Sequence, residues 1–119
     1  ELRIDFQLIK KGGDGGIFFR AGDKGRYELQ VKDYAEQGRL WGMTYNLDKE
    51  KVAKARKPQG EWESYRLVVQ GPKVEVYLNG ILINTSEGAT RRSPAFIGLQ
   101  SEGGEQAFRN IRIRPLPDK

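Results

Sequence analysis

The sequence predicts an all-β antiparallel sandwich or jelly roll, and three observations lead there. Apolar and polar residues alternate with a period of two in several short segments. Gly, Pro and Asn punctuate the chain at short intervals, and no long stretch carries a helical period. The 119 residues are one domain's worth, without internal repeat or linker, so 1–119 reads as a single sandwich domain.

Leu2, Ile4, Phe6 and Leu8 alternate with Arg3, Asp5 and Gln7, the pattern of a half-buried strand. A glycine-rich turn follows at 10–16, then the β-prone run Ile17-Phe18-Phe19-Arg20 and a second turn at Gly22-Asp23-Lys24-Gly25. Tyr27, Leu29 and Val31 then face one way, and Glu28, Gln30 and Lys32 the other. From Asp33 to Gly60 the alternation fades. Leu40 to Met43 reads as a short strand, and Leu47 to Lys57 as one or two helical turns or a loop, ended by Pro58 and Gly60. Trp62 to Gln70 is a strand, closed by the Gly71-Pro72 turn. Val74, Val76 and Leu78 lead into Asn79-Gly80 and then Ile81-Leu82-Ile83. An Asn-Gly pair between two β runs signals a hairpin, because a type I′ turn needs positive φ at both positions. Ala95 to Gln100 and Phe108 to Arg114 complete a set of eight or nine strands.

The composition excludes several chemistries. There is no Cys, so no disulfide, thiol catalysis or Cys-ligated metal; there is no His, so no Ser–His–Asp triad and no imidazole ligand. No cofactor and no metal are expected. No apolar run is long enough for a transmembrane helix. The chain opens on Glu1 inside a strand pattern, which predicts a processed or excised chain and leaves room for the removal of a targeting segment. Net charge is +5, which suits an acidic partner without pointing to nucleic acid. The basic run Lys49, Lys51, Lys54, Arg56 and Lys57 includes Glu50, follows Asp48 and lacks interleaved aromatics, so it reads as a solvated loop. The loop Gly12 to Gly16 lacks the Walker Lys-Ser/Thr and opens no helix, and Asp14, Asp23, Asp33 and Asp48 lack EF-hand spacing.

In a sandwich the functional candidates are polar residues sharing an outer face. By alternation Phe18 and Arg20 share a side of one strand, and Glu28, Gln30 and Lys32 a side of the next. Arg20, Glu28 and Gln30 then form one polar patch if the strands pair; the plainer alternative is an ordinary wet face. The patch stands only if those three residues share a face. Trp41, in a turn-rich stretch, reads equally as a packing residue or as a platform for the apolar face of a sugar; Trp62 reads as structural. Glu28 and Asp33 are the nearest approach to a carboxylate pair, but five residues apart on a straight strand they fall on opposite faces.

Ordered motifs add a resemblance. Gly16-Ile17-Phe18-Phe19-Arg20, Tyr27-Glu28-Leu29-Gln30-Val31-Lys32-Asp33, Gly60-Glu61-Trp62-Glu63-Ser64-Tyr65-Arg66, Tyr77-Leu78-Asn79-Gly80, Ile97-Gly98-Leu99-Gln100 and Phe108-Arg109-Asn110-Ile111-Arg112-Ile113 follow one another along the chain. In that order they resemble the 3-keto-disaccharide hydrolase family. The resemblance implies the concanavalin A-like lectin/glucanase sandwich and an exported bacterial protein, periplasmic or extracellular, that acts on carbohydrate. It implies hydrolysis of glycosides oxidised to a ketone at C3, with a base removing the C2 proton and the aglycone leaving by elimination. On that chemistry Glu28 is the expected base and Arg20 the expected enolate stabiliser. Gln30, Lys32 and Gln100 are expected to contact substrate, and Trp41 to stack on it.

Two departures stand out. Family members normally carry further N-terminal strands, which this chain lacks; the expected consequence is an incomplete sandwich with an edge open to pairing with another chain. Many members also have an Asp-His pair where this chain has Ser101-Glu102. Three readings result: a hydrolase or lyase of 3-keto-glycosides, a non-catalytic carbohydrate-binding module, or an interaction domain without a small-molecule site. A closed polar pocket around Arg20, Glu28 and Gln30 would favour the first, and a flat face with Trp41 exposed the second.

Overall fold

A computed structural model describes residues 1–10, 14–22, 25–32, 37–90, 96–102 and 104–117. The carboxylate partner Asp33, the turn residues Lys11, Gly12, Gly13, Asp23 and Lys24, and Ala95 at the start of an expected strand lie outside the described residues. Ten strands and one short helix follow in order: β1 (Leu2–Lys10), β2 (Asp14–Gly22), β3 (Gly25–Val31), β4 (Leu40–Trp41), β5 (Asn46–Leu47), α1 (Lys49–Ala55), β6 (Trp62–Gln70), β7 (Lys73–Leu78), β8 (Ile81–Ser86), β9 (Phe96–Glu102) and β10 (Glu105–Ile113). They form two antiparallel sheets, one ordered β10-β1-β6-β7-β8-β5 and the other β4-β3-β2-β9. This is the all-β sandwich that the alternation predicts.

Alternation explains which faces meet. Leu2, Ile4, Phe6 and Leu8 of β1, with Tyr65 and Leu67 of β6 and Val74, Val76 and Leu78 of β7, form the buried side of the larger sheet. Ile17, Phe19, Tyr27, Leu29, Val31 and Leu40 do the same for the smaller one. Phe6 and Tyr65 stack with ring centroids 4.9 Å apart. Each large apolar side chain buried here stabilises the fold by about 1.5–3 kcal/mol relative to exposure. Asn79 (φ 49°) and Gly80 (φ 85°) are both left-handed, as the tight β7–β8 turn requires. The ambiguous segment 47–57 contains α1. Asp48 caps it, its carboxylate accepting from Lys51 N at 3.1 Å, and Val52 and Ala55 turn its buried side to the core.

One buried carboxylate gives a pH-dependent stability. Glu63 lies on the core side of β6, 3% exposed, and its Oε1 accepts from Lys57 N at 2.8 Å and Asn79 Nδ2 at 3.2 Å. Burial raises its pKa above the ordinary 4.5, against the opposing pull of those donors and of the Arg56 and Lys57 charges. The sign follows from linkage: the buried charge costs nothing below 4.5, where folded and unfolded chains both hold the proton, and the cost grows as pH rises through the folded pKa. Glu63→Gln keeps an Oε1 acceptor and removes the charge. Its melting temperature relative to the parent is therefore expected to rise as pH climbs above 4.5, where the buried carboxylate begins to cost the parent stability. A flat difference across that range would contradict this account.

Candidate functional site

The face of the smaller sheet turned away from the core carries two cross-strand rows. In the first, Trp41 on β4 lies opposite Glu28 on β3, Glu28 opposite Phe18 on β2, and Phe18 opposite Gly98 on β9. In the second, Gln30 lies opposite Gly16, and Gly16 opposite Gln100. Because alternate residues of a strand share a face, Arg26, Glu28 and Gln30 all project here while Tyr27 and Leu29 enter the core.

These side chains form one connected cluster. Gln30 Nε2 donates to Glu28 Oε2 at 2.9 Å. Arg26 Nε stands 3.9 Å from Glu28 Oε1, and its guanidinium lies 4.4 Å from the centre of the Phe18 ring. Glu28 and Gln30 are 7% and 5% exposed although they face outward, because their neighbours cover them. Trp41 beside them is 53% exposed. Gly16 makes room for the group: a Cβ there would sit 2.5 Å from Glu28 Oε2 and 3.1 Å from Gln100 Oε1. The Oε1 of Gln30 is buried with no hydrogen-bond partner among the described residues. Such an acceptor is costly to leave unpaired and is suited to a hydroxyl donor.

Arg20 is a correction to the expected patch. It adopts φ 46°, and β2 shifts register there against both β3 and β9, so strict alternation breaks. Its Nη1 donates to the Ala89 carbonyl at 2.6 Å, and it borders an apolar crevice of about 210 Å³ between the ends of the two sheets, with Leu2, Leu67 and Val69. The three-residue patch Arg20–Glu28–Gln30 therefore does not form. The structure gathers Glu28, Gln30, Gln100 and Trp41 on one face, with Arg26 as the cation beside Glu28 in place of Arg20. Lys32 comes one residue after β3, its backbone N–H donating to Gln37 Oε1 at 3.0 Å. Arg26 was findable from the sequence, since it continues the alternation of Glu28 and Gln30 one step back. Among the described residues no cluster of acidic side chains has the geometry to hold a metal ion.

Residues 1–114 match the family described as the 3-keto-alpha-glucoside-1,2-lyase-like domain. The chain belongs to this family. Two solved structures from Parabacteroides distasonis share the fold, and both are provisionally named as glycosyl hydrolases. One is 25% identical with a TM-score of 0.73, the match covering 97% of this chain and 77% of that one. The other is 17% identical with a TM-score of 0.66, covering 92% and 68%. No curated protein matches the chain significantly. Family and fold together make this 3-keto-glucoside-lyase-like domain a glycosyl-hydrolase-like, carbohydrate-related protein.

Proposed function

We propose that the domain cleaves glycosides carrying a ketone at C3, on the outward face of the smaller sheet, with Glu28 as the base. The observation that carries this reading is the Glu28 carboxylate itself, nearly buried, tethered by Gln30 and flanked by the Arg26 guanidinium and the exposed Trp41 ring. A C3 ketone acidifies the hydrogen on C2. Glu28 takes that proton, and the electron pair moves toward the C3 oxygen as an enolate. Arg26, the cation beside Glu28, stabilises the negative oxygen. Collapse of the enolate breaks the C1–O bond and releases the aglycone, which takes up a proton; water then adds across C1 and C2 to give the free keto sugar. The Oε1 of Gln30 and the amide of Gln100 hold sugar hydroxyls, and Trp41 stacks on the apolar sugar face.

The 53% exposure of Trp41 favours a second reading, a binding module that holds sugar without turnover. Both readings are tested by titrating the isotope-labelled chain with a 3-keto-glucoside and with its parent glucoside, following amide shifts and sugar signals together. Conversion of the keto sugar alone is the expected result. Shifts at Glu28, Gln30 and Trp41 without conversion would establish the binding module. A folded chain giving neither would overturn both readings and leave the interaction domain.

A further inference from the structure

The outer face of the larger sheet carries an arrangement that the Glu28 face does not use. Arg112 on β10, Arg3 on β1 and Arg66 on β6 are direct register partners, so three arginines occupy one row across three neighbouring strands. Tyr77 on β7 continues the row opposite Arg66, whose guanidinium lies 5.0 Å from the centre of its ring. All four border a depression of about 320 Å³, together with Asp5 and Ser64. A bulge at Asn110 (φ 55°) puts three steps of β10 against two of β1, so Arg109 shares this face with Arg112. Arg109 lies 3.8 Å above the centre of the Trp62 ring.

Like charges directly opposite one another across strands destabilise a sheet. The local acids offset this only in part. The Glu1 carboxylate contacts Arg3 at 3.5 Å, Arg114 at 2.7 Å, and Arg66. Asp5 is committed elsewhere, accepting from Ser64 Oγ and Asn110 Nδ2 at 2.7 Å each and lying 3.5 Å from Arg109. Burial pushes the Asp5 carboxyl up, but Asn110, Ser64 and Arg109 outweigh it and hold the group below its ordinary pKa. Arg112 has no acidic partner among the described residues, and it is exposed.

We infer that this face binds an acidic oligosaccharide, one with a carboxylate or sulfate on successive sugar units. Neighbouring strands lie about 4.8 Å apart, close to the rise of one pyranose unit in an extended glycan, so the arginine row presents cations at the repeat of such a chain. Guanidinium groups match carboxylate and sulfate oxygens with paired N–H donors. Tyr77, on the border of the depression, adds aromatic surface beside the arginine row. The site is separate from Glu28 and independent of any turnover there.

The test is a titration of the labelled chain at low salt with four probes: a short oligouronate, a sulfated glucan oligomer, the neutral glucan oligomer, and a single-stranded oligonucleotide of similar charge. The expected result is amide shifts around Arg3, Arg66, Tyr77 and Arg112 with one or both acidic glycans and none with the neutral one. Which acidic glycan binds decides between carboxylate and sulfate. Arg112→Gln is expected to weaken binding about fivefold, the size of one exposed charge pair, and to flatten the salt dependence. The Arg112 side chain makes no hydrogen bond among the described residues, so the variant is expected to fold, and Arg3→Gln is the second variant of the same row. Glu28→Gln should leave this affinity unchanged, so a failure of the turnover reading does not touch it. The inference is overturned if neither acidic glycan shifts these residues, if the neutral oligomer binds as well, if both arginine variants bind like the parent, or if the oligonucleotide binds more tightly than either glycan.

Discussion

Replacing Glu28 by glutamine is expected to lower turnover of a 3-keto-glucoside by about 10²–10⁴-fold, the usual contribution of a positioned general base. Glutamine is nearly isosteric with glutamate and keeps one oxygen to accept from Gln30 Nε2, so the row Trp41–Glu28–Phe18 stays in place. The substitution removes only the capacity to take a proton from carbon. Affinity for the unreacted sugar, read from the titration, should therefore be nearly unchanged while the rate falls. A variant that turns over at the parental rate would remove Glu28 from the mechanism. Loss of affinity in step with rate would make it a binding residue instead.

Gly16→Ala is expected to reach the same site from the neighbouring strand β2. The new methyl would lie 2.5 Å from Glu28 Oε2 and 3.0 Å from its Cδ, closer than non-bonded atoms approach. The colliding atoms are the end of a flexible side chain, so the carboxylate moves rather than the backbone. A displacement of about an ångström at a catalytic group is worth about 10²-fold in rate. The thermal transition should shift little, because the clash is relieved locally. Parental activity in Gly16→Ala would mean that the carboxylate needs no fixed position; a large fall in melting temperature would mean that the glycine serves the sheet, not the site.

The strands in the middle of the larger sheet were legible because their periodicity is unbroken: β1, β6 and β7 alternate cleanly, and Asn79-Gly80 announces its own turn. β5 was not legible. Two residues, Asn46 and Leu47, carry no period, and they are a strand only because Thr85 and Asn84 lie opposite. The seven residues of α1 were equally ambiguous, since so short a segment is held by its Asp48 cap and by Val52 and Ala55 rather than by its own pattern. The same logic divides the site. Glu28 and Gln30 were placed by strict alternation and do share a face with Trp41 and Gln100. Arg20 was misplaced because a left-handed arginine inside a strand has no sequence signal, and one such residue re-aims the side chain. Asn110 produces the same kind of break in β10, at a residue type that tolerates positive φ more readily.

Tyr65 reaches across the sandwich from β6 and donates its hydroxyl to the Gln30 carbonyl at 3.0 Å. Burial, reinforced by the Glu63 charge, pushes its pKa far up, so the phenol keeps its proton and remains a donor. The strand bearing Glu28 is thus anchored from behind, by a fully buried side chain of the opposite sheet. That anchor holds β3 against slipping by one position, which would invert every side chain on it. The opposite sheet thereby sets where the outward row of β3 stands, independently of the side chains that make up that row.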